Sequence, residues 1–264
     1  MNTETIFILI IVILIVDYLI DRILDFLNAS RWTESLPKQL QGIYDQKKYQ
    51  EAQKYDKVKY NLGLIVSGVS FAAMLLMLIS GGFGWLDNYL RQYTNHPILI
   101  AFLYFGILGF AADIMGTPFE LYSTFIIEQR FGFNKSTLKI YIFDKLKSWL
   151  LSVLLGAPIL ALIIYIYEST GNNFWLLVWG VLTVFMLFMT MFYSNIIVPL
   201  FNKQTPLAEG ELRDAIEAFA TKVGFNLQNI YVIDGSKRST KANAYFTGLG
   251  MKKRIILYDT LIKD

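Results

Sequence analysis

No cysteine occurs in the chain, so disulfides, thiolate nucleophiles and cysteine-ligated metals are excluded. Histidine is nearly as scarce. With His96 as the sole imidazole, no serine has a histidine partner for a Ser-His-Asp hydrolase, and a zinc site would need carboxylates in place of its usual ligands. His96 itself precedes Pro97 at a helix start and reads as an interfacial residue, so neither a catalytic nor a metal-ligating residue is assigned. Charge is thin as well: 17% of residues are charged, against roughly 25% in soluble domains. Together with 55% hydrophobic residues over 264 positions, this makes the chain a membrane protein. A net charge of +3 is too small to imply a nucleic-acid partner. Gly235-Ser236-Lys237-Arg238-Ser239 lacks the spacing of a phosphate loop, which rejects nucleotide binding.

Long apolar runs are what the chain does have. Ile6 to Val16, extended through Ile23-Leu24 past Asp17, Asp21 and Arg22, reads as a retained first span, because the residues before it are not basic as a signal peptide requires. A polar segment from Asn28 to Tyr60, broken at Pro37, suits surface helices. Further spans are expected at Leu62 to Ile79, Pro97 to Met115, Trp149 to Tyr167 and Phe174 to Val198. The fold class that follows is a mainly α, five-span helix bundle over residues 1–199, with cytoplasmic loops 28–60 and 119–148. Basic residues alternate with these spans: Arg31, Lys38, Lys47, Lys48, Lys54, Lys57 and Lys59 follow the first, Arg91 alone the second, and Arg130, Lys135, Lys139, Lys145 and Lys147 the third. By the positive-inside rule the N-terminus lies outside and Pro199 onward in the cytoplasm.

Residues 200–264 read as a small cytoplasmic α+β segment. Leu212, Ala215, Ile216, Phe219, Ala220 and Val223 recur at helical spacing, and Gly224 ends that helix. Apolar clusters at Ile230 to Ile233, Ala244 to Phe246 and Ile255 to Tyr258, separated by Asp234-Gly235-Ser236 and Gly248-Leu249-Gly250, predict a three-stranded sheet. The strand Asn243 to Phe246 follows a basic loop, Ser236 to Lys241. Such a strand often forms a sheet edge that can accept an extended peptide, the plainer reading being a polar turn. Asp259-Thr260 resembles a helix cap, and the stop at Asp264 sets the expectation that this is the front part of a longer protein. Asp113 and Glu120, with Asp17 and Asp21, are the carboxylates at membrane depth, either paired at helix ends or lining a polar chamber.

Three stretches together resemble the type 1 CAAX prenyl endopeptidases, which are integral-membrane zinc metalloproteases. They are Thr117 to Asn134 (TPFELYSTFIIEQRFGFN), Pro199 to Leu207 (PLFNKQTPL), and Asp234 to Ser239 (DGSKRS) with Asn243 to Phe246 (NAYF) and Lys253 to Leu261 (KRIILYDTL). The likeness runs from about Thr33 to the end. It implies an intramembrane chamber of seven helices, five of them here, and a cytoplasmic active site whose His-Glu-x-x-His zinc helix would follow the segment Asp259 to Leu261. It also implies that Asn243, Ala244, Tyr245 and Phe246 border the cleft and pair with substrate. The family commonly reads Ser-His-Ser-Asn before Ala-Tyr-Phe, where this chain has Thr240-Lys241-Ala242-Asn243; that histidine is therefore missing.

The resulting expectation is the substrate-chamber portion of a membrane zinc metalloendopeptidase, inactive alone, with zinc in the parent protein and none bound by this chain. Its partners would be membrane lipid and a peptide or prenylated peptide, and its location multi-pass in a bacterial inner membrane. The competing readings are a transporter or channel bundle using Asp113 and Glu120, and a noncatalytic membrane scaffold.

Overall fold

The computed structural model describes residues 2–33, 35–37, 41–250 and 253–262. Lys38 and Asp264, which figure in the expectations above, lie outside the described residues. The protein is mainly helical, with several long apolar helices and a small four-stranded sheet at its C-terminal end. The chain divides into two compact units, one of Met1–Asn95 with Leu103–Phe131 and one of His96–Phe102 with Gly132–Asp264.

In the first unit, α1 (Thr3–Ser30) starts where Asn2 accepts a hydrogen bond from the Thr5 amide at 2.8 Å. Helix α2 (Gln46–Ile79) is capped by Asp45, which accepts from the Lys48 amide at 2.9 Å. The polar residues from Gln46 to Asn61 are therefore continuous with the apolar run of α2 in one helix, where the sequence suggests separate surface helices. The two helices meet where Tyr18 stacks on Phe71 with ring centroids 4.0 Å apart. Gly81, with φ at 70°, turns the chain out of α2 as only glycine does cheaply, and the short α3 (Gly82–Leu90) follows.

Helix α4 (Pro97–Tyr122) carries Pro118 inside it and continues into a π-helical segment, Ser123–Glu128. The expected loop 119–148 is thus largely helical, because α5 (Leu138–Thr170) begins soon after, capped by Thr137. A single 3-10 turn, Gly171–Asn173, separates α5 from α6 (Phe174–Ile196), and α7 (Val198–Phe201) follows. Among the described residues, three helical stretches are long and apolar enough to cross a membrane: Gln46–Ile79, Pro97–Glu128 and the 64-residue Leu138–Phe201, which contains α5 and α6.

The sheet has four strands where the sequence predicts three. The additional one, β1 (Gln204–Pro206), pairs antiparallel with β2 (Leu227–Ile233). Its Pro206 and its lack of large apolar residues hide it from pattern reading, and an edge is where a proline is tolerated. Helix α8 (Glu211–Lys222) joins the two, and Gly224 at φ 66° ends it. Strand β4 (Lys253–Tyr258) lies parallel to β2 and antiparallel to β3 (Ala244–Thr247), giving the order β1-β2-β4-β3. Both sheet faces are covered, as the alternation in β2 and β4 requires. Ile233 and Ile256 pack with Val198 on one face, while Ile230 and Leu257 pack with Leu207 and Ile216 on the other. Asp259–Ile262 forms the final helix, α9.

Candidate functional site

Strand β3 pairs with β4 alone, in the register Ala244 to Leu257, Tyr245 to Ile256, Phe246 to Ile255 and Thr247 to Arg254. It is one edge of the sheet. The opposite edge, β1, is three residues long and ends in Pro206, which has no amide to offer, so β3 is the edge better able to take another strand.

Pairing along an antiparallel ladder alternates, and here the phase can be read. The Tyr258 amide donates to the Asn243 carbonyl at 3.0 Å, so residues 243, 245 and 247 face β4. The backbone groups of Ala244 and Phe246 then face away from the sheet. One of them is already engaged, because the Ala244 amide donates to the Asn243 side-chain carbonyl at 2.9 Å. The Ala244 carbonyl and both backbone groups of Phe246 are left for a further strand. Asn243 itself lies just before β3, not in it.

The side chains of this edge divide by face. Phe246 is 72% exposed, and its ring meets Phe225, in the connection between α8 and β2, edge-on at 6.0 Å between centroids. Tyr245 points to the other face, among Tyr231, Tyr258 and the buried Ile256. Burial pushes its phenol up to about 12, Tyr258 and Tyr193 push the same way, and the neighbouring Ser194 hydroxyl opposes them. Ser194 is buried beside the Tyr245 phenol, but its Oγ makes no well-aligned hydrogen bond among the described residues.

The loop before β3 is not a solvated turn. Arg238 donates through Nε and Nη2 to both carboxylate oxygens of Asp144 on α5, at 2.7 and 2.9 Å, a bidentate pair with each side chain 24% exposed. It also reaches the Phe201 carbonyl at 2.8 Å and the Asn202 side chain. The Thr240 amide donates to the Phe133 carbonyl at 3.0 Å, and Lys241 lies 4.7 Å from the centre of the Phe133 ring. Ser236 donates through its amide and hydroxyl to Asp259 at the start of α9. The loop that delivers the chain to β3 is thereby held to α5, to residues 132–134, to the end of α7 and to α9. Nothing in the sequence pattern signals the Arg238 pair, whose partners are 94 positions apart.

The carboxylates singled out from sequence are not gathered into a centre. Asp17 and Asp21 are exposed on α1, Asp113 is half-buried and Glu120 exposed, and the last two are already engaged in polar interactions. The sequence reading passed over a different acidic residue. Glu128, at the end of the π-helical segment, accepts from the Tyr55 hydroxyl at 2.5 Å and lies 3.7 Å from Lys59, which donates to Ser123 at 2.9 Å. Among the described residues no group of three or more His, Asp or Glu side chains is placed to hold a metal ion. With one histidine and no cysteine as donors, the residues of this chain do not fit a zinc centre.

Residues 26–203 match the family model described as CAAX prenyl protease N-terminal, five membrane helices, and residues 206–264 match peptidase family M48. The chain belongs to the CAAX prenyl protease family. A probable CAAX prenyl protease 1 of Schizosaccharomyces pombe is 38% identical to this family member over 88% of the present chain and 52% of its own length. The CAAX prenyl protease 1 homologue of Arabidopsis thaliana is 36% identical, covering 95% and 61% respectively. The crystal structure of S. mikatae Ste24p matches with a TM-score of 0.87 at 32% identity, again over 95% of this chain and 61% of that one. The present chain thus spans a little over half the length of these relatives.

Proposed function

We propose that this CAAX prenyl protease family chain is the substrate-holding portion of a membrane zinc metalloendopeptidase. An extended peptide adds to β3 as a fifth strand, pairing with the Ala244 carbonyl and with both backbone groups of Phe246. Tyr245 faces the core and Phe246 the peptide side chains, while Asn243, at the Ala244 amide, sets where pairing begins. The observation that carries this reading is that β3 borders the sheet with its outward groups open. Family membership supports a zinc-dependent activity for the parent protein and a prenylated CAAX tail as the substrate class. Zinc, when bound there, would act as the Lewis acid and lower the pKa of its water; its ligands are not among this chain's residues.

Residues 1–199 form the five-span membrane part, with the N-terminus outside, and 200–264 the cytoplasmic start of the protease domain. The distribution of basic residues supports this orientation. The relatives named above are eukaryotic, so they lend no support to a bacterial inner membrane.

The test is photocrosslinking from position 246 to a farnesylated peptide. Crosslinking at 246, and much less at Thr205 on the opposite edge, is the expected result; equal labelling at the two edges would end the β3 assignment. In a peptidase assay the chain alone should show no activity, with or without added zinc. Because it contains no cysteine, single cysteines introduced at Asn95 and Lys203 report orientation cleanly, the first labelled from outside and the second only after permeabilisation.

A further inference from the structure

In the first unit, two open pockets share one wall. The smaller, about 230 Å³, is lined by Trp32, Gln50 and Gln53 among others, and the larger, about 500 Å³, by Glu51, Arg130 and Phe131; Lys54 and Lys57 line both. Three cations therefore face one carboxylate across this ledge. All three are exposed, and none forms an ion pair among the described residues, whereas the neighbouring Lys59 is occupied by Ser123 and Glu128. Arg130 rests 5.9 Å from the centre of the Phe131 ring. Gln53, which lines the smaller pocket, has its Oε1 buried with no hydrogen-bond donor among the described residues, so a donor that reached it by a turn of the side chain would satisfy it.

The position along the helices says what could fill it. Lys57 lies five residues before the apolar run of α2 begins at Leu62, and Arg130 lies just beyond the apolar stretch Pro97–Glu128. At about 1.5 Å per residue, Lys57 stands roughly 7 Å from the start of that run, within a headgroup layer about 5–8 Å deep, and Lys54, about one turn further out, lines the same two pockets. Trp32, packed edge-on against Tyr60 at 5.5 Å, adds an aromatic anchor typical of that depth. We propose that this ledge binds the headgroup of an anionic glycerophospholipid. Lys54, Lys57 and Arg130 hold the phosphate, and a headgroup hydroxyl donates to Gln53 Oε1.

The test is native mass spectrometry of the full chain in detergent, titrated with phosphatidylglycerol, with phosphatidylcholine, and with inorganic phosphate as competitor. Phosphatidylglycerol is expected to bind about tenfold or more tighter than phosphatidylcholine. The Lys54→Gln, Lys57→Gln, Arg130→Gln triple variant should weaken it on the order of 100-fold, about fivefold per charge. Lys47→Gln with Lys48→Gln, on the same helix outside both pockets, should change binding less than about twofold. Gln53→Leu should weaken phosphatidylglycerol, whose glycerol hydroxyls supply the donor, and leave phosphatidic acid, which has no such headgroup hydroxyl, unchanged; an equal effect on both would overturn the hydroxyl contact. An equal loss in the Lys47/Lys48 variant would mean diffuse attraction and overturn the site, and displacement by millimolar inorganic phosphate would mean a soluble ligand and overturn the lipid. If circular dichroism shows the triple variant unfolded, Lys57→Gln alone must still cost about fivefold, and no change there overturns the proposal equally.

Discussion

At the scale of single residues, the loop before β3 is governed by one guanidinium. Arg238 satisfies both oxygens of Asp144 and two groups at the end of α7, so removing it strands a half-hidden carboxylate. Arg238→Ala should lower the stability of the protein by about 2–3 kcal/mol in denaturant unfolding. Arg238→Lys should recover less than half of that, since an ammonium keeps the charge but cannot reproduce the fork. Tyr245 makes a separate prediction about pH. Its phenol lies at about 12 in the fold against an ordinary 10.0, so the folded state favours the protonated form. That contribution is complete below about pH 10 and disappears as pH rises towards about 12. A stability profile over this range should fall in the wild type and flatten in Tyr245→Phe.

Among elements, the close approach of a turn to a strand sets the sharpest constraint. A Cβ on Gly235 would clash with Cδ1 of Tyr258, in the last residue of β4, so the turn or the ring must shift. Gly235→Ala should cost about 1–3 kcal/mol, and Tyr258→Ala should cost less in its presence than alone, which a double-mutant cycle reads directly. The π-helical segment offers a second cycle. Bonding from i to i+5 widens the turn and brings Ser123 and Glu128, five residues apart, to the same amine of Lys59. Tyr55→Phe and Glu128→Gln should therefore be non-additive by about 0.5 kcal/mol or more. Additive losses would mean that the short Tyr55 contact contributes nothing of its own.

For the whole molecule, donor chemistry decides the response to metal removal. With one histidine and no cysteine, and with no cluster of His, Asp or Glu placed to hold a metal among the described residues, a strong chelator should leave thermal unfolding of the chain unchanged. A chelator-dependent fall in Tm would show that the chain holds a metal.

How much of this was legible in advance follows from the range over which each force acts. Burial in lipid or in a sheet core is decided by neighbouring residues, so apolar runs and alternating strands are written locally. The sequence by itself determined that the chain is a membrane protein, that α2, α4, α5 and α6 are long and apolar, that α8 ends at Gly224, and that β2, β3 and β4 exist. The motifs at 117–134, 199–207 and 234–261 determined the family. The basic loop before Asn243 pointed to a sheet edge at β3, with a polar turn as the alternative; only the tertiary structure decided between them, and only it showed that Gln204–Pro206 joins the sheet and that Arg238 meets Asp144. Hydrogen-bond pairing is short-ranged in space and indifferent to separation along the chain, so those partners are chosen by the path of the backbone and leave no periodic trace in the order of residues.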